Sequence, residues 1–127
     1  MVKPKKLAHL VIRVRDLERS KKFYTEVIGL HVTDQSSMMV FLAADTNASH
    51  ELAFQAVGAE AKGPDAAGVG LQHFAWQMNT WEDLEAAYRK LKEHNVTITA
   101  IRDHAVSLGV YFLDPDGNQS EVFYELP

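Results

Sequence analysis

The feature that most constrains this chain is a pattern that occurs twice. Residues 7–14 read L-A-H-L-V-I-R-V and residues 71–78 read L-Q-H-F-A-W-Q-M, two strand-like stretches with histidine as the third residue. A helix signal follows each. After the first, Asp16 stands at an N-cap, Leu17, Ser20, Tyr24, Val27 and Ile28 recur near the helical period, and Gly29 occupies the C′ position. After the second, Asn79 or Thr80 caps, Glu82 or Asp83 lies near N3, and Trp81, Leu84, Ala87, Tyr88 and Leu91 line one side. Three short strands then complete each copy: 30–34, 38–42 and 50–55 in the first, and 96–101, 108–113 and 120–124 in the second. The order is β-α-β-β-β twice, and a repeat of this length implies two similar modules packed side by side.

The expected product is a single α+β domain over residues 1–127, with module 1 at about 5–57 and module 2 at about 71–127. Its eight strands form a curved mixed sheet around a cleft, with the helices outside. Residues 58–70, rich in Ala and Gly and carrying Pro64 and Asp65, read as the linker.

Composition narrows the function classes. A hydrophobic content of 46% and a charged content of 24% are ordinary for a globular domain. The net charge of -4 offers no basic footprint for nucleic acid. No apolar run approaches the ~20 residues needed to span a bilayer, and the basic first six residues lack the apolar stretch of a signal peptide. Cysteine is absent, which excludes thiolate ligands and disulfides and fits a cytoplasmic protein. Any metal must therefore be held by His, Asp or Glu.

Strand alternation sorts the candidates. Ala8, Leu10, Ile12 and Val14 form one wholly apolar face, as do Phe74, Trp76 and Met78, and these faces should pack on the helices. His9 shares the other face with Val11 and Arg13, and His73 shares its face with Ala75 and Gln77. Glu121 interrupts the last strand, which closes a hairpin around the turn Asp114-Pro115-Asp116-Gly117-Asn118. A carboxylate amid strand residues is costly to bury unless it is paired or binds a metal. In the repeat, His9 returns as His73, and Glu51 in S-H-E-L-A-F returns as Glu121 in S-E-V-F-Y. Two imidazoles and one carboxylate on three strands form a facial-triad ligand set: His9, His73 and Glu121. Such a set leaves coordination positions open and suits Fe(II) or Mn(II), with Zn(II) or Ni(II) fitting when a fourth ligand is present. His31 and His94 lie beside glycine or asparagine at helix ends and read as surface residues.

Paired β-α-β-β-β modules with two strand histidines and a D-P-D-G-N-x-x-E ending at Glu121 resemble the vicinal oxygen chelate superfamily. It holds glyoxalase I, bleomycin-resistance proteins, fosfomycin-resistance enzymes and extradiol dioxygenases. Finer text is similar to the dioxygenases: His50-Glu51-Leu52-Ala53-Phe54, a loop histidine at His104, and Tyr111 four residues before Pro115. That resemblance implies a metal held by His9, His73 and Glu121, with His50, His104 and Tyr111 around it handling protons and the substrate. It implies a small catechol-like vicinal diol as substrate, O2 as co-substrate and a homodimer as the assembled form. The best-known extradiol enzymes carry an additional pair of modules. Glyoxalase I-type members instead use a fourth ligand, to which Glu51 corresponds, with Ni(II) or Zn(II), and they bind glutathione through basic side chains, for which Arg13 and Arg102 are candidates. Only one of His50 and Glu51 can face the metal in a regular strand; parity favours Glu51 and the dioxygenase-like text favours His50. A third implication is a bleomycin-resistance-like binding protein without catalysis.

Overall fold

The structure, a computed structural model, describes residues 1–127. The chain divides into two compact units, Met1–Ala61 and Lys62–Pro127. Both follow the expected order, and the eight strands divide into two four-stranded mixed sheets with one helix in each unit.

The first unit contains β1 (Leu10–Val14), α1 (Leu17–Glu26), β2 (His31–Gln35), β3 (Met39–Ala43) and β4 (Leu52–Ala56), with sheet order β1-β4-β3-β2. β1 and β4 pair in parallel, Leu10 opposite Leu52 and Val11 opposite Ala53, and the remaining pairs are antiparallel. α1 starts where its orphan amides find an acceptor: Asp16 takes the Arg19 N–H at 3.1 Å. It ends at Glu26 with Val27 as C-cap, and Gly29, with a φ of 90°, then turns the chain so that the Leu30 N–H reaches the Tyr24 carbonyl at 2.9 Å. The core joins Tyr24 of the helix to Val14, Val40, Leu42, Leu52 and Phe54 of the sheet, all buried. Each large apolar side chain removed from water in this way contributes roughly 1.5–3 kcal/mol.

The second unit contains β5 (Phe74–Gln77), α2 (Trp81–Glu93), β6 (Ile98–Asp103), β7 (Ser107–Leu113) and β8 (Gln119–Glu125), in the order β5-β8-β7-β6. Thr80 caps α2 by accepting the Asp83 N–H at 3.0 Å. The core is Phe74, Leu84, Leu91, Val110, Phe112 and Val122, with the Ser120 hydroxyl satisfied by the Phe74 carbonyl at 3.0 Å. The turn between β7 and β8 is held by a buried carboxylate. Asp114 accepts the Asp116 N–H at 3.0 Å, the Asn118 N–H at 2.8 Å and the Asn118 side-chain amide at 3.1 Å. Gly117 takes the positive φ, 91°, that this turn requires.

Two expectations are corrected. Both repeat histidines lie immediately before their strands rather than inside them, because ladder pairing begins only at Leu10 and Phe74. Trp81, expected on the packed side of α2, is 43% exposed, since only Leu84 and Leu91 of that helix are fully covered.

Candidate metal centre

The second unit brings together two of the expected ligands. His73 precedes β5, Glu121 lies on β8, and the parallel pairing of these strands sets Ala75 opposite Glu121. The His73 Nε2 stands 3.3 Å from Glu121 Oε1, with the carboxylate side chain largely buried. The other ring nitrogen, Nδ1, is engaged by the Gln72 side-chain oxygen. An amide oxygen only accepts, so Nδ1 is the donor in that contact and Nε2 is the ring nitrogen turned toward Glu121. A nitrogen and a carboxylate oxygen at this distance form an ion pair when the ring is protonated and two ligand atoms for a shared cation when it is not. The spacing also fits, since two ligand atoms on one metal at bonds near 2.1 Å stand about 3.0–3.4 Å apart. An imidazole whose far N–H is held by a polar oxygen is the usual form of a metal-binding histidine.

Tyr111 completes this cluster from β7. The antiparallel register puts it directly opposite Glu121, and its ring meets that of His73 at 5.0 Å. Its hydroxyl donates to the Glu121 carboxylate. Burial first, and then the charge and hydrogen bond of Glu121, push the phenol above its ordinary value of 10.0, against a lowering by Arg102, whose guanidinium lies 5.6 Å over the ring. On the same sheet face, across from Arg102, is Gly109. A Cβ at that position would fall 1.9 Å from Glu121 Oε2, so the carboxylate occupies the space that glycine leaves.

In the first unit His9 is exposed ahead of β1, and its ring meets that of His50 at 4.6 Å; Phe41 covers His50 from 5.1 Å. Glu51 is directed elsewhere. Its Oε1 accepts the Ala44 N–H at 2.8 Å and the Asp45 N–H at 3.0 Å, closing the loop between β3 and β4. The two ladders also correct the alignment of the repeat. His9 and His73 each precede the first paired residue, Leu10 and Phe74, whose partners are Leu52 and Ser120. The position equivalent to Glu121 is therefore Ala53, which is buried, and not Glu51. His104 sits exposed in the turn between β6 and β7, where its backbone N–H donates to the Ser107 carbonyl at 2.9 Å. Neither unit by itself gathers three His, Asp or Glu side chains around one point.

Sequence reasoning passed over Gln72 and Gly109. Gln72 could have been found as the polar neighbour of a candidate ligand. Gly109 had a weaker signal, a glycine inside an otherwise apolar strand.

The tandem β-α-β-β-β units and the His–Glu pair define a known class. A family model described as the Glyoxalase/Bleomycin resistance protein/Dioxygenase superfamily matches residues 6–122, and the chain belongs to that superfamily. Among its relatives, a biphenyl-2,3-diol 1,2-dioxygenase of Rhodococcus globerulus is 31% identical over 92% of this chain and 62% of its own length. A catechol-2,3-dioxygenase of Bacillus subtilis is 33% identical over 95% of this chain and 42% of its own length. The chain thus spans between two-fifths and two-thirds of these curated relatives. A crystal structure of a glyoxalase/dioxygenase from Nostoc punctiforme shares the fold, with a TM-score of 0.84 at 20% identity, covering 100% of this chain and 97% of that one.

Proposed function

We propose that the chain acts as an extradiol-type dioxygenase that cleaves a small catechol-like vicinal diol with O2 at a non-haem Fe(II) centre, Mn(II) being the alternative ion. The observation that carries this reading is the His73–Glu121 pair, with an imidazole nitrogen facing a carboxylate oxygen at 3.3 Å. It is supported by the two relatives named as dioxygenases of vicinal diols. His9 is the proposed third ligand. Ala53, in the place where a second carboxylate would complete a four-ligand set, favours three protein ligands and open positions over a four-ligand lyase.

When bound, the metal supplies a Lewis-acidic site at which both diol oxygens and O2 can meet. The protein groups have separate tasks. A diol hydroxyl must give up a proton on binding, and an imidazole exchanges protons near neutral pH. His50, beside His9, is the proposed acceptor, and His104 is the proposed group that returns a proton. Positioned acid–base groups of this kind contribute typically ~10²–10⁴-fold. Tyr111 stays protonated at neutral pH and donates to Glu121, so it fixes the ligand carboxylate, and it is the proposed group that orients substrate. The acting form on this reading is a cytoplasmic homodimer.

The test is metal analysis of anaerobically purified protein together with oxygen uptake on adding catechol. About one iron or manganese per chain, with uptake abolished in His73→Ala, supports ring cleavage. Nickel or zinc without uptake turns the reading to a glyoxalase-like lyase. Tight binding of an aromatic ligand that survives chelation and Glu121→Ala turns it to a sequestering protein.

A further inference from the structure

We propose that Gly109 is a positioning residue for the metal-binding carboxylate, an inference that rests on the metal reading above. Gly109 lies in the middle of β7, where it pairs with Arg102 on one side and Phe123 on the other. Its backbone has no positive φ, so nothing in the local conformation calls for glycine. In a strand, glycine is a poor choice: it leaves no side chain to pack and loses more backbone freedom on folding than alanine does. What the position does require is vacancy. A Cβ there would meet Glu121 Oε2 at 1.9 Å, Cδ at 3.0 Å and Cγ at 3.4 Å. The carboxylate therefore stretches across the sheet face between two neighbours. One oxygen reaches back to His73 Nε2, and the other rests above the bare Cα of Gly109. The Tyr111 hydroxyl bonds the same carboxylate and narrows its choices. Any side chain at position 109 turns Glu121 out of this orientation. The colliding atoms are the end of a flexible side chain, so the carboxylate moves and the sheet stays.

The consequence separates metal affinity from fold stability, which a packing role would not do. The experiment titrates anaerobic apoprotein with Mn(II) alone, reading free Mn(II) by electron paramagnetic resonance, for the wild type, Gly109→Ala, Glu121→Ala and the double variant. Thermal melts of the metal-free proteins accompany the titration. Gly109→Ala is expected to weaken Mn(II) binding about 10–100-fold, the usual effect of losing a group that orients a ligand. Its metal-free melting midpoint should be no lower than that of the wild type. If Gly109→Ala is instead destabilised or unfolded, the double variant decides. Its melting as well as Glu121→Ala assigns the defect to the carboxylate clash and supports the proposal. An equal loss in both backgrounds makes the glycine a general packing requirement and overturns it, as does unchanged Mn(II) affinity in Gly109→Ala. Wild-type protein that binds no Mn(II), or binds it as well in Glu121→Ala, overturns the metal reading itself and this proposal with it. That failure differs from a Gly109 failure, in which Glu121→Ala still abolishes binding.

Discussion

The phenol of Tyr111 is held by burial and by the Glu121 carboxylate, both of which raise its pKa above 10.0. Folded protein thus binds this proton more tightly than unfolded chain. The resulting stability is fully present below about pH 10 and fades as pH rises through the folded value. An alkaline titration of the metal-free protein followed by tyrosinate absorbance should show Tyr111, missing in Tyr111→Phe, ionising above an ordinary tyrosine. Glu121→Ala should lower that value only part of the way, because burial is the larger cause. Glu51 makes the opposite case, a carboxylate spent on the backbone. Glu51→Gln keeps an oxygen for the Ala44 and Asp45 amides but loses the charge, and about 1 kcal/mol of stability should go with it. Metal stoichiometry should not change, which an equilibrium urea melt and a metal assay would check together.

At the scale of the element, the hairpin of β7 and β8 does most to place the candidate site. Its turn sets the register that puts Tyr111 opposite Glu121, and the turn depends on Asp114. Removing this buried acceptor in Asp114→Ala should cost about 2–4 kcal/mol in chemical denaturation, because two amides and a side chain lose their partner. Much of this was readable beforehand. The turn residues, both helix caps and the two histidines all carry local signals, since each depends on neighbours within a few positions. The ladder register between β1 and β4 carried none. Whether Glu51 or Ala53 matches Glu121 is decided by which residues pair across half a module, and S-H-E-L-A-F resembles S-E-V-F-Y closely enough to mislead by two places. Gln72 and Gly109 were hidden for a related reason: one acts through a hydrogen bond and the other through an empty volume, and neither leaves a periodic trace.

For the whole molecule, the two units are alike in order and unlike in chemistry. The second presents His73 and Glu121 already side by side, whereas the first offers His9 with Ala53 in the matching place. On the proposed reading, His73→Ala and Glu121→Ala should each abolish tight Mn(II) binding. His9→Ala should leave a residual site weaker by roughly tenfold or more, since a chelating pair survives; calorimetric titration would rank the three. The proposed homodimer should sediment at twice the 14.2 kDa chain mass.

The β7–β8 hairpin also bears on the order in which the molecule assembles. A hairpin with its turn preset closes in ~1–10 μs, while a parallel partner must wait for the segments between to fold. Glu121 thus meets Tyr111 early, and His73 reaches it only after α2 and β6 are in place. On the proposed metal reading, chelation is then expected to follow the rate-limiting step of folding. In stopped-flow traces, saturating metal should leave the refolding rate unchanged and slow unfolding in proportion to the affinity gained. The ion would act as a latch on the finished protein and not as a seed for it.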